Sequence, residues 1–87
     1  MNLSKTQQDV LLRMADGARL LLRKGMYAYF SLKDQDMSTV RWPTAQALKH
    51  QGAIEVKTED WKSAEYILTD AGREEASRIR EIQKEDL

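Results

Sequence analysis

The sequence predicts an α+β fold, one small domain in the order helix, β-hairpin, helix, β-hairpin, C-terminal helix. Three observations carry that expectation. Residues 41–51 have helical spacing, with Pro43 in the first turn, where a fixed backbone angle and a missing amide do no harm, and Gly52 just past the end. Ile54 with Val56, then Tyr66 with Leu68, show the period-two pattern of half-buried strands. The closing segment, 71–83, sets Ala76, Ile79 and Ile82 at helical spacing among charged residues.

Eighty-seven residues allow a single domain, 1–87 with 84–87 as a frayed tail, and one modest core. The absence of cysteine excludes a disulfide framework and a thiolate metal site, and one histidine gives little basis for a structural zinc. The longest apolar run, 20–22, falls far short of the roughly 20 residues of a membrane span. The first residues also lack the order of a secretion signal, so a cytoplasmic chain without membrane or cofactor is expected.

Taken in order, Ser4 and Gln7 have the spacing of a capping box, which starts a first helix at Lys5. Val10, Leu11, Met14 and Ala15 form its apolar stripe, and Asp16-Gly17 ends it. The stretch 18–32 reads as strands 19–23 and 26–31 joined by a two-residue turn at Lys24-Gly25. A helix continuing through Gly17 to Lys24 is the alternative, at a penalty of about 1 kcal/mol for the glycine. Residues 33–37 read as a polar turn, with Ser38 and Thr39 leading into the second helix. Its buried stripe is read as Val40, Thr44, Ala47, Leu48 and Gln51. Residues 58–63 read as a polar loop, and Thr69 offers its hydroxyl to the amides of the last helix, whose Glu75 is assigned to the outer face.

A helix ending in Gly, then strand, loop and a strand closing on Leu-Thr-x-x-Gly-Arg resembles the winged-helix family of DNA-binding domains. The residues carrying the likeness are Pro43-Thr44, Leu48, Gly52-Ala53-Ile54 and 66–73, about half the chain. It implies a recognition helix at 41–51 and a wing at 53–68. The opening MNLSKTQQDVLLRMADGARL is also similar to the small bacterial YjhX family, which begins with a like Met-Asn-Leu-Ser, a Gln and a Gly-x-Arg. That resemblance implies the same order of elements. Some members are described as toxins acting on a topoisomerase, and no residue here maps to that activity.

Net charge is zero, yet its distribution is lopsided: residues 13–50 carry a net +4 and residues 51–87 a net −4. No catalytic constellation emerges. The single His50 has no partner set, and the glycines at 17, 25, 52 and 72 form no phosphate loop, so no enzyme is expected. The candidate DNA contacts are Arg41, Trp42, Gln46, Lys49 and His50 on the helix, with Lys57 and Lys62 on the wing. Arg can bridge guanine, Gln can bridge adenine, and Lys takes phosphate. Each has a structural alternative: Trp42 as a lid on the core, Arg41 and Lys49 as solvated charges, His50 as a complement to the helix dipole. Trp61, Tyr27 and Tyr29 are candidate partner contacts, Tyr27 and Tyr29 otherwise packing across strands.

The leading expectation is a small bacterial or phage regulator that binds double-stranded DNA as a dimer. The alternative is a winged-helix module that docks on a protein, for instance as an inhibitor of a nucleic-acid enzyme. Glu59 and Asp60 beside Trp61 favour the second, because they set negative charge where a wing would meet phosphate.

Overall fold

The computed structural model describes residues 1–85. Three helices pack on one face of a five-stranded antiparallel sheet. The order is α1 (Lys5–Ala15), β1 (Arg19–Arg23), β2 (Tyr29–Lys33), β3 (Met37–Val40), α2 (Trp42–His50), β4 (Ile54–Glu59), β5 (Ser63–Leu68) and α3 (Asp70–Glu85). In space the strands run β3-β2-β1-β5-β4, so the meander β1–β3 and the hairpin β4–β5 join through the β1/β5 pair.

The α+β class and the three helices agree with the sequence reading; the first β unit differs. It is a three-stranded meander, and its first turn spans five residues, 24–28, instead of two. The reason is register. A two-residue turn would set Leu22 opposite Tyr27 and Leu20 opposite Tyr29, turning both tyrosines toward the helices. The observed pairs Leu22 with Phe30 and Leu20 with Leu32 bury four apolar side chains instead. The next turn is also tighter than expected. Asp34 accepts the amide of Asp36 at 3.0 Å, which frees Met37–Val40 to pair with β2 and sets Val40 against Phe30.

The capping box at Ser4 and Gln7 forms, and Val10, Leu11 and Met14 are buried, while Ala15 faces solvent. In α2 the buried set is Thr44, Ala45 and Leu48; Ala47 is only partly covered. Gln51 is not in the stripe because its amide side chain is engaged with Asn2, accepting its N–H at 3.0 Å and donating to its carbonyl at 2.7 Å. Gly52 takes the left-handed conformation, φ 73°, that ends the helix. Strands β4 and β5 reach further than expected, leaving only 60–62 as the turn, and a bulge at Lys57 shifts their register.

Thr69 caps α3 by accepting the amide of Gly72 at 3.0 Å, while its hydroxyl donates to the Gly52 carbonyl. Ala76 and Ile79 are buried as expected, but Ile82 is 45% exposed and Glu75 is buried. The helix outruns the body it packs on, so its inward stripe ends at Ile79. It continues to Glu85, and the remainder of the expected frayed tail lies outside the described residues. No helix among the described residues is long and apolar enough to cross a membrane.

Candidate nucleic-acid interface

Helix α2 lies over the helix-covered face of the sheet, in contact with β2 and β4. Its core residues turn one face inward, and that fixes what the other presents. Arg41, Trp42, Lys49 and His50 are exposed and Gln46 is half-buried. Trp42 takes the lid position: its ring rests on Phe30, with centroids 4.9 Å apart and planes at 53°, while 45% of the residue faces solvent. The Lys49 ammonium lies 5.4 Å from the centre of the Tyr66 ring, a cation–π contact that leans it toward the β4–β5 hairpin.

The end of the sheet where α2 begins gathers two turns. The Lys24 amide donates to the Lys62 carbonyl at 2.8 Å. Lys24 Nζ then reaches Glu59 Oε2 at 2.6 Å and the Asp60 carbonyl at 2.9 Å, so one residue of the β1–β2 turn fastens the β4–β5 turn. Met26 and Tyr27 on the first turn, Tyr29 at the start of β2 and Trp61 on the second turn therefore stand at the same end of the sheet. Neither Met26 nor Lys24 stands out in sequence. The signal that links them is the pairing of β1 with β5, which no local pattern encodes.

The acids beside Trp61 are accounted for within the turn. The Asp60 carboxylate accepts the amides of Lys62 at 2.7 Å and Ser63 at 2.8 Å. The Ser63 and Lys62 amides, in that order, hold its pKa below the ordinary range for a carboxylate. Glu59 is neutralised by Lys24. Lys62 sits 4.8 Å from the Trp61 ring centre.

The basic side chains do not all converge. Arg13 is bound to Asp34 and Ser38 where α1 meets the β2–β3 turn. Arg19 and Lys57 both pair with Glu65, on the sheet face away from the helices, with Lys57 at 3.7 Å. Arg19 chiefly, through its hydrogen bond, keeps the Glu65 carboxyl low against the opposing effect of burial. Lys57 thus stands apart from the other wing candidate. Arg23, Arg41, Lys49 and Lys62 take part in no ion pair among the described residues.

No family model matches the chain, and neither the curated proteins nor the solved structures yield a match. The molecule's own chemistry must carry the functional reading.

A hollow of about 630 Å³ is lined by residues of α1, β1, β4, β5 and α3 and by none of α2. Arg19, Lys57, Arg73 and Arg80 line it, but each is held by a carboxylate, Glu65, Asp70 or Asp16, so its charge is largely spent. Among the described residues no three His, Asp or Glu side chains gather as a metal site.

Proposed function

We propose that this protein binds double-stranded DNA in the manner of a winged helix, with α2 entering the major groove and the β4–β5 hairpin against the backbone. The observation carrying this reading is the unpaired, solvent-facing set Arg41, Lys49 and His50 on one helix, at whose start the wing turn brings Lys62. Free cations release counterions when they meet phosphate, whereas cations already paired with carboxylates gain little. The ion pair of Lys24 with Glu59 supports the reading, because that carboxylate then offers less net repulsion to a phosphate. A duplex titration at low salt tests it. Measurable binding weakened by Arg41→Ala and Lys49→Ala is expected, and no association would overturn it.

A role as a regulator follows if the protein is a dimer, since two copies reading half-sites one helical turn apart, about 34–36 Å, double a small interface. Light scattering that gives the mass of one chain would remove this part.

One observation favours a second reading, docking on a protein. Trp61 is 82% exposed at the hairpin tip, and exposed tryptophan is a common anchor at interfaces. Under that reading Trp61→Ala abolishes binding to the partner and Arg41→Ala does not.

A further inference from the structure

Of the nine large apolar side chains exposed among the described residues, Met26, Tyr27, Tyr29, Trp42 and Trp61 stand at one end of the sheet. Met26 is 92% and Tyr27 83% exposed, on a turn that the Lys24 bridge locks to the turn bearing Trp61. Four of the five are planar aromatics, with Tyr29 on the sheet face opposite Phe30 and Trp42; Arg23 is the strand partner of Tyr29, Arg41 precedes Trp42 and Lys62 follows Trp61, none of the three in an ion pair among the described residues.

We propose that this twin tip is a stacking wedge for unpaired or unstacked bases, so that the partner is DNA opened or distorted at the point of contact. The proposal rests on the DNA-binding reading above and deepens it. Bases stack on aromatic rings whatever their identity, and neighbouring cations follow the phosphate backbone. Apolar side chains driven between base steps hold a duplex kinked in the same way. Both modes need rings held on a rigid support, and the backbone and side-chain bonds of Lys24, with the Asp60 turn, supply it. The Lys62 ammonium lies 4.8 Å from the Trp61 ring centre, and Trp61 remains 82% exposed.

A lipid surface fits the tip less well. The two turns expose Tyr, Trp and a single Met but no Leu, Ile, Val or Phe. A stacking surface needs rings more than aliphatic bulk.

The test compares a labelled intact duplex with the same duplex carrying a short central bubble, by fluorescence anisotropy with the full chain. Bubble DNA is expected to bind about tenfold tighter, within the range of one base–aromatic stack. Tyr27→Ala and Trp61→Ala should each bring the bubble-to-duplex ratio toward one, whereas Arg41→Ala should weaken both DNAs by the same factor. In a Trp42→Phe chain the remaining Trp61 emission should be quenched by bubble DNA and less by duplex. Equal affinity for the two DNAs, or a preference that survives both aromatic substitutions, would overturn the wedge and leave the DNA-binding reading standing. No binding to either DNA would remove both. Binding to phosphatidylserine vesicles that is lost in Trp61→Ala, without bubble preference, would assign the tip to membranes and overturn the wedge.

Discussion

Gly72 in the first turn of α3 touches the backbone of Ala53: a β-carbon on Gly72 would lie 2.1 Å from the Ala53 carbonyl oxygen. That oxygen already accepts the Thr69 amide at 3.0 Å, so it cannot move aside without breaking the junction between the end of α2, β4 and α3. Gly72→Ala, favourable by helix propensity alone, should therefore destabilise the protein by about 2 kcal/mol or more, through overpacking. Urea unfolding checks it. An unchanged or raised midpoint would mean that the contact is looser than the geometry requires.

Stability should fall on acidification. Arg19 holds Glu65, Arg78 holds Glu75, Arg13 holds Asp34 and the Ser63 amide holds Asp60 below their ordinary pKa values. A carboxyl depressed in the folded state leaves the unfolded chain binding more protons, so its stabilisation is complete above the unfolded pKa, about 4, and is lost as pH falls through the folded value. The urea midpoint should be level between pH 6 and 8 and drop steadily below about pH 4. Glu65→Gln should flatten part of that drop, and equal midpoints at pH 3 and pH 7 would contradict the assignment.

Arg80 ties the last helix to the first. Its guanidinium pairs with Asp16 and donates to the Leu12 carbonyl at 3.3 Å, at the C-terminal end of α1, where that oxygen also accepts the Asp16 amide at 3.1 Å. The side chain is 42% exposed, so the expected loss in Arg80→Ala is modest, about 1 kcal/mol, and smaller at high salt. Urea midpoints in low and high salt measure it; the absence of any loss at low salt would show that α1 and α3 are held by Ala76 and Ile79 alone.

Much of the helical frame was legible because its signals are local. Ser4 with Gln7, Pro43, Gly52 and Thr69 mark helix ends by the chemistry of unpaired backbone groups, and all four stand where that chemistry requires. The first β unit was not legible at the same level. Its register depends on which pair of faces buries Phe30 and Leu32, a property of the assembled sheet, and β3 contributes only Val40 to the core. Glu75 and Ile82 exchanged expected roles because the inward stripe of α3 depends on where α1 ends. Among the site residues, helical spacing grouped Arg41, Trp42 and Lys49 but could not show that Lys57 turns to Glu65 or that Lys24 joins two turns.

The salt dependence of duplex binding tests the central claim most directly. If Arg41, Lys49 and Lys62 each meet a phosphate, the logarithm of affinity should fall against the logarithm of salt with a slope of about −3, and Lys62→Ala should reduce that slope by about one. A duplex that fails to bind at low salt, or binds with a slope near zero, would contradict it.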